Sequence, residues 1–177
     1  MKFSGTDLLG NVTIPEGDPT DVETSLEVSL DASSESYPLH TFNLLNEGVM
    51  QKIAKAFKLQ PSEIASATLD AGTVKADGFS GPAEGKVAVG LTNPDGKVSY
   101  AYSANGIGFW IAADGTASSW GDAPIYYEYD AVGYGLTVGH NPGHSEKSKT
   151  YIIKPTMVYN KGGKLHKAVI TIKMKFA

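Results

Sequence analysis

Apolar and polar residues alternate along much of the chain, and this period of two predicts β-strands. The clearest early run has its apolar side at Val22, Thr24, Leu26, Val28 and Leu30. The last run has its apolar side at Ala168, Ile170, Ile172, Met174 and Phe176. Since successive side chains of a strand point to opposite faces, we expect each run to place one face on a core and the other in water.

Between residues 45 and 67 the apolar spacing lengthens to three or four, which predicts two helices. The apolar side of the first helix is marked by Leu45, Val49, Ile53, Ala56 and Phe57. We expect Asn46 to cap this helix and Pro61 to open the second one, because proline suits the first helical position. The pair is predicted to cover one end of a sheet.

Further strands are predicted in quick succession after residue 85, and glycine-bearing turns separate them. They span residues 86–91, 98–103, 107–112, 116–120, 125–130, 135–139, 150–159 and 165–176. Short alternating strands, with the helices grouped before residue 70, favour a mainly β fold. The predicted architecture is an antiparallel β-sandwich, jelly-roll-like, with a small two-helix appendage in the N-terminal half.

Glycine and proline crowd residues 71–85, which makes this stretch the candidate internal boundary. We therefore expect an N-terminal arm, strand and helical pair over residues 1–85 and a β-sandwich domain over residues 86–177. One continuous domain over residues 22–177 is the alternative.

Strand parity divides the aromatic residues between the two faces of the predicted sheets. In the strand 107–112, Phe109 shares a face with two isoleucines, which leaves Trp110 on the opposite face. In the strand 125–130, Tyr127 and its neighbour two residues on face the core, which leaves Tyr126 and Glu128 outside. Trp110 and Tyr126 are therefore expected to be accessible from solvent.

A sugar ring presents an apolar C–H face and a rim of hydroxyl groups, which aromatic rings and carboxylates or amides match. This chemistry predicts a ligand-binding set formed by Trp110, Trp120, Asp122, Tyr126, Glu128, His140 and Asn141. The leading hypothesis is a noncatalytic carbohydrate-binding module whose partner is a glycan or polysaccharide.

Two other functions fit the same residues. If both tryptophans pack in the interior, the chain is a structural or protein-interaction domain without a sugar site. If Asp122 and Glu128 lie about 5–9.5 Å apart across a cleft, they form the acid–base pair of a glycosidase. Exposed and roughly coplanar tryptophan rings would favour the sugar site over the structural domain.

Composition removes several classes of chemistry. The chain has no cysteine, which excludes disulfides and thiolate metal sites. All 15 basic residues are lysine and the net charge is −4, so we expect no nucleic-acid partner. Pro142 and Gly143 separate His140 from His144 and break any helix that would join them in a zinc site. No catalytic, metal or cofactor motif is present, and we predict no metal and no cofactor.

Charge is distributed unevenly along the chain. Residues 1–80 carry 12 acids and 5 lysines, whereas residues 147–177 carry 8 lysines and no acid. Lysines at alternate strand positions are typical of a protected solvent face or sheet edge. No apolar run approaches the roughly 18 residues of a membrane span, and no signal peptide opens the sequence.

The run GFWIAADGTASSWGDAPIYYEY, followed by LTVGHNPG and TYIIKPTMVYN, resembles a domain family of secreted and surface proteins of the Bacteroidetes. The segment IAKAFKLQPSEI fits the same family, whose members are often found beside glycan-degrading modules. The resemblance implies a secreted, periplasmic or outer-membrane surface protein, with a lipid anchor upstream and a role in glycan capture. The matching positions are Trp110, Trp120, Gly121, Asp122, Glu128 and the loop 139–143.

Overall fold

Eleven strands and two helices form the part of the chain that the computed structural model describes, which is residues 11–32, 39–68, 80–100 and 107–177. The first elements are β1 (Val22–Leu30), β2 (Leu39–Asn43), α1 (Val49–Phe57) and α2 (Pro61–Ala67). They are followed by β3 (Val87–Thr92), β4 (Val98–Tyr100), β5 (Ile107–Ile111), β6 (Ala117–Ser118), β7 (Ile125–Asp130) and β8 (Gly135–His140). The last are β9 (Thr150–Ile153), β10 (Pro155–Lys161) and β11 (Lys164–Phe176).

The strands form two sheets, and the predicted mainly β sandwich is confirmed. The first sheet has the order β1-β11-β10-β3-β4 with β9 also on β11, and the second has the order β2-β8-β7-β5-β6. Every strand pair in these sheets is antiparallel except β1 with β11, which run parallel in register from Val22–Ala168 to Leu30–Phe176.

The core lies between the two sheets, because their apolar sides face each other. The Tyr127 hydroxyl on β7 donates a hydrogen bond to the Gly90 carbonyl on β3, so the two sheets are joined directly. The ring of His140 on β8 lies 5.5 Å from that of Phe176 on β11. Burial raises the pKa of Tyr127 well above its usual value, so this phenol stays protonated and continues to donate.

The predicted pair of helices is present and packs into the same core. Helix α1 buries Val49, Met50, Ile53, Ala54 and Phe57. The Phe57 ring lies 5.5 Å from the ring of Tyr159 on β10. Pro61 opens α2 as predicted, and the Gln60 side chain forms a reciprocal capping box with Glu63. The helices therefore close the sandwich instead of standing apart from it.

The predicted helix cap at Asn46 is wrong, because the turn before α1 is longer than expected. The side-chain oxygen of Asn43 accepts hydrogen bonds from the backbone amides of Leu45 and Asn46. This turn follows β2 directly, and the helix begins only after Gly48, whose φ is 75°. A second difference is the predicted strand 150–159, which is divided into β9 and β10 at Lys154.

Candidate ligand-binding face

The outward side of the second sheet carries a continuous row of apolar side chains. In the strand register Trp110 lies opposite Tyr126, Tyr126 opposite Gly139, and Gly139 opposite Leu39. Trp120 follows β6 in a short 3-10 turn and contacts Trp110. We call the four large side chains the aromatic row: Leu39, Tyr126, Trp110 and Trp120. The row crosses the sheet perpendicular to its strands.

The predicted parity of these aromatic residues is confirmed. Phe109 and Tyr127 are buried, while Trp110 and Tyr126 are partly exposed and Glu128 is exposed. Trp120 is 58% exposed and Leu39 is 56% exposed. The second sheet therefore presents aromatic surface to solvent, and the two tryptophans are not interior residues.

The rings of the aromatic row are close together but not coplanar. The Trp110 and Tyr126 centroids are 4.8 Å apart with planes inclined at 49°. The Trp110 and Trp120 centroids are 6.5 Å apart with planes at 78°, an edge-to-face contact. The two tryptophan rings are thus exposed or partly exposed, but they do not have the coplanar arrangement that would favour a sugar site most strongly. A ligand meets a corner, with the Trp120 ring nearly perpendicular to the Trp110 ring.

Two glycines on the outward side shape this surface. A Cβ atom on Gly139 would lie 2.8 Å from Tyr126 Cε1 and 2.8 Å from Leu39 Cδ2, so both side chains rest directly on the backbone of that glycine. A Cβ atom on Gly108 would lie 2.9 Å from the Tyr127 carbonyl oxygen and 3.3 Å from Glu128 Cγ. Side-chain-free backbone therefore supports the row at Gly139, and at Gly108 any side chain would collide with the Tyr127 carbonyl next to Glu128.

A shallow groove of about 100 Å³ lies at Gly108, between Trp110, Tyr126 and Glu128. Pockets that enclose a small molecule usually measure about 300–1,000 Å³, so this groove is too small to enclose one. It suits a ligand that lies across the surface and inserts only part of itself.

A polar row runs beside the aromatic row, one step along the strands. Glu128 lies opposite Gly108 on one side and Thr137 on the other, and Thr137 lies opposite Thr41. The two threonine hydroxyls are hydrogen bonded to each other at 2.7 Å. Carboxylate and hydroxyl oxygens thus stand next to the aromatic rings, where they can accept hydrogen bonds from a ligand.

Residues 36–164 match the profile of DUF4859, a domain of unknown function. The chain belongs to the DUF4859 family. Neither a curated protein nor a solved structure matches it. The matched part of the DUF4859 domain contains all five strands of the second sheet and ends at the first residue of β11. In the described residues no helix is long and apolar enough to span a bilayer.

The DUF4859 domain brings together four of the seven predicted ligand-binding residues, namely Trp110, Trp120, Tyr126 and Glu128. The backbone of Asp122 lies in the 3-10 turn with Trp120, but its side chain lies outside the described structure. The prediction for Asp122 therefore stays a prediction.

His140 was predicted to contact a ligand, and its position in the DUF4859 domain rules this out. The side chain is 0% exposed because β8 extends through residue 140, which places His140 on the core side with Leu136 and Val138. Its Nδ1 atom shares a hydrogen bond with the Ser145 hydroxyl. The predicted strand covers residues 135–139 and ends just before His140. Its alternation therefore did not predict which face His140 occupies.

Asn141 is also corrected, because its side chain is 3% exposed. Its Nδ2 atom donates to the Trp120 carbonyl oxygen at 3.1 Å, and its backbone amide donates to the Pro124 carbonyl oxygen at 2.8 Å. Asn141 therefore holds the turn that carries Trp120, and it does not face a ligand itself. Leu39 and the supporting roles of Gly108 and Gly139 were not predicted, since they depend on strands that are distant in sequence.

Asp114 and Asp130 bond to the backbone of their own turns. Asp114 Oδ1 accepts hydrogen bonds from the Thr116 hydroxyl and the Thr116 backbone amide, and these bonds lower the pKa of Asp114. Asp130 Oδ1 accepts from the Val132 backbone amide at 3.0 Å. Both carboxylates are thus engaged in turns that connect strands of the second sheet.

Proposed function

We propose that the outward side of the second sheet binds a carbohydrate chain without cleaving it. The observation that carries the proposal is the partly exposed Trp110–Tyr126 pair at 4.8 Å, flanked by the exposed Trp120 ring and the Glu128 carboxylate. Aromatic faces match the apolar C–H side of a sugar ring, and the neighbouring oxygens match its hydroxyl groups.

The burial pattern supports a ligand at this position. The aromatic row leaves Leu39 and Trp120 more than half exposed, and contiguous exposed apolar side chains of this size mark binding surfaces. The groove is shallow and open, which favours a polymer that passes over the surface.

Binding without catalysis is supported by the charge of the groove. Glycoside hydrolysis generally needs two carboxyl groups that flank the scissile bond. Glu128 is the single carboxylate among the described residues that line the groove. Tyr129, the next residue along β7, is buried on the core side and does not line the groove.

A protein partner is the second candidate, and the ring geometry favours it. The planes of Trp110 and Trp120 meet at 78°, and Leu39 adds an aliphatic side chain to the same row. A corner of this shape also accepts an apolar side chain of another protein. A screen against purified polysaccharides distinguishes the two functions.

The test is affinity electrophoresis of the wild type and the variants Trp110→Ala, Trp120→Ala and Tyr126→Ala in gels containing soluble polysaccharides. We expect Trp120→Ala to weaken retention by about tenfold, which corresponds to ~1.4 kcal/mol. Ile152→Ala is the matched control, because Ile152 is 52% exposed and lies on β9 of the first sheet. Thermal melts verify that each variant is folded.

Unchanged retention of all three folded aromatic variants would remove the proposed site. Release of reducing sugar by the wild type would favour the glycosidase alternative.

The proposal also places the protein outside the cytoplasm, at the cell surface or in the periplasm, next to a glycan-degrading module. This part rests on the resemblance of the aromatic segment to secreted and surface proteins. Fractionation of cells that produce the natural protein tests it, and recovery in the cytosolic fraction would contradict it.

A further inference from the structure

The charge of the aromatic face narrows the class of ligand. We infer that the DUF4859 domain selects polysaccharides without acidic groups and discriminates against those that carry carboxylates or sulfates. This inference rests on the proposed function, and it concerns Glu128, the charged side chain among the described residues that line the groove.

The two sheets differ sharply in charge. The five strands of the second sheet contain no lysine, and the outward side of β7 carries Glu128 and Asp130. Lysines instead occupy β9, β10 and β11 or their ends in the first sheet, such as Lys154, Lys173 and Lys175. The aromatic row therefore lies on a face whose strands supply negative charge alone.

Glu128 is not neutralised by a neighbouring cation. Among residues 11–32, 39–68, 80–100 and 107–177, no ion pair involves its carboxylate. In contrast, Glu27 on β1 pairs with Lys175 at 3.6 Å and with Lys173 at 3.9 Å. A ligand in the groove thus meets a carboxylate that has no ion-pair partner among the described residues.

This arrangement discriminates between neutral and acidic sugars. A hydroxyl group donates to the Glu128 carboxylate in a charge-assisted hydrogen bond. A carboxylate or sulfate at the same place is repelled and finds no lysine on these strands to compensate for the repulsion. The aromatic rings contribute equally to both ligands, so the difference in affinity depends on charge.

The experiment uses polysaccharides in matched pairs that share a backbone, one neutral and one carboxymethylated, such as hydroxyethyl cellulose beside carboxymethyl cellulose. At about 10 mM salt, where screening is weak, we expect retention by a neutral member and at least about fivefold weaker retention by its acidic partner. Raising the salt to about 0.3 M should bring the ratio of neutral to acidic binding by the wild type closer to one.

Two variants test whether the charge of Glu128 causes the difference in affinity between neutral and acidic polymers. Glu128→Gln keeps a hydrogen-bond acceptor and removes the charge, so it should bring the ratio of neutral to acidic binding close to one. Glu23→Gln removes the same unit of net charge from the exposed side of β1 in the first sheet, and it should leave the ratio unchanged.

Equal or stronger binding to the acidic polymers would overturn the inference while leaving the proposed function intact. If Glu128→Gln and Glu23→Gln change the ratio of neutral to acidic binding equally, the inference is also overturned. The net charge of the protein would then explain the preference for neutral polymers. Binding to no polymer in the panel would overturn the proposed function itself.

Discussion

Gly139 determines where two side chains of the aromatic row lie. It is buried although it points outward, because Leu39 and Tyr126 cover its backbone. A glycine inside a strand usually weakens it, and it is retained where another group must approach the backbone closely. At this position the approaching groups are side chains of the two neighbouring strands, β2 and β7.

Replacing Gly139 with alanine should displace the Tyr126 ring. The new Cβ atom would lie 2.8 Å from Tyr126 Cε1 and Leu39 Cδ2, so both side chains would have to shift. We expect a loss of about 1 kcal/mol in the free energy of unfolding and weaker binding to the polysaccharide retained by the wild type. Urea titration and affinity electrophoresis measure the two effects.

Gly121→Ala is the control for that variant, since a Cβ atom added to Gly121 on the 3-10 turn would have no atom within 4 Å. If Gly139→Ala and Gly121→Ala have the same affinity for the polysaccharide and the same free energy of unfolding, Gly139 does not determine the position of Tyr126.

For an individual residue, the sequence predicts which face of the strand it occupies, but it does not predict which residues it contacts. The period of two separates Phe109 from Trp110 and Tyr127 from Tyr126, because each strand has a fixed alternation. Asn141 could not be assigned in this way. Its partner is the carbonyl of Trp120, which is 21 residues away in sequence.

The hairpin between β10 and β11 is held by a carboxylate from another part of the chain. Gly162 and Gly163 have φ values of 64° and 81° and direct backbone amides towards Glu84. The Gly163 amide donates to Glu84 Oε2 at 3.1 Å and also to Asn160 Oδ1 at 3.0 Å. Hydrogen bonds from Gly162 and then Gly163 lower the pKa of Glu84 from its usual 4.5.

The Glu84 contact should make stability depend on pH in a defined direction. Because the folded-state pKa is lowered, the contribution is fully present above 4.5 and is lost as the pH falls from 4.5 towards the lowered value. Glu84→Gln should therefore be less stable than the wild type at neutral pH, and this difference should shrink in acid. Urea midpoints across the acid range measure it.

Glu23→Gln serves as the control, because this exposed acid lies within β1 and not in a turn. A difference between Glu84→Gln and wild type that stays constant from neutral to acid pH would contradict the role given to the charge of Glu84.

The elements themselves were largely predictable, whereas their pairing was not. Alternation identifies β1, β7 and β11, because each has one buried and one exposed side. The start of α1 was misplaced because Asn43 forms a turn that the apolar spacing does not reveal. The parallel pairing of β1 with β11 joins residues that are 146 positions apart in sequence, and no local pattern specifies it.

The whole fold depends on β11, the longest strand. It pairs with β1 along one side, and with β10 and then β9 along the other. The family match over residues 36–164 contains neither β1 nor the body of β11. The second sheet and the aromatic row lie within residues 36–164. Much of the core beneath them is formed by side chains of β1 and β11, which lie outside those residues.

A fragment of residues 36–164 should therefore fail to fold. It lacks Ala168, Ile170, Ile172, Met174 and Phe176, which are all buried in the common core. We expect no cooperative urea transition and a flat near-ultraviolet circular dichroism spectrum, in contrast to the full chain. A cooperative transition with the midpoint of the full chain would contradict this.

A fragment of residues 36–177 restores β11 and omits β1. Its stability therefore distinguishes the contribution of β1 from that of β11. Leu26 and Leu30 of β1 are each 9% exposed, and their loss should cost about 3–6 kcal/mol of stability. An unfolding midpoint equal to that of the full chain would show that β1 is dispensable.

At the scale of the molecule, composition and periodicity predicted a β-sandwich because core and solvent faces impose the same alternation on every strand. The same alternation located the aromatic half of the candidate site. The tilt of the rings, the supporting glycines and the isolated charge of Glu128 depend on contacts between strands, which the sequence of a single chain does not encode locally.

The direction of β1 relative to β11 also has a mechanical consequence. Since the two strands run the same way, tension applied to the chain entering Val22 and the chain leaving Phe176 pulls them in opposite senses along their length. All nine registered pairs then share the load in shear, and none can be unzipped ahead of the others.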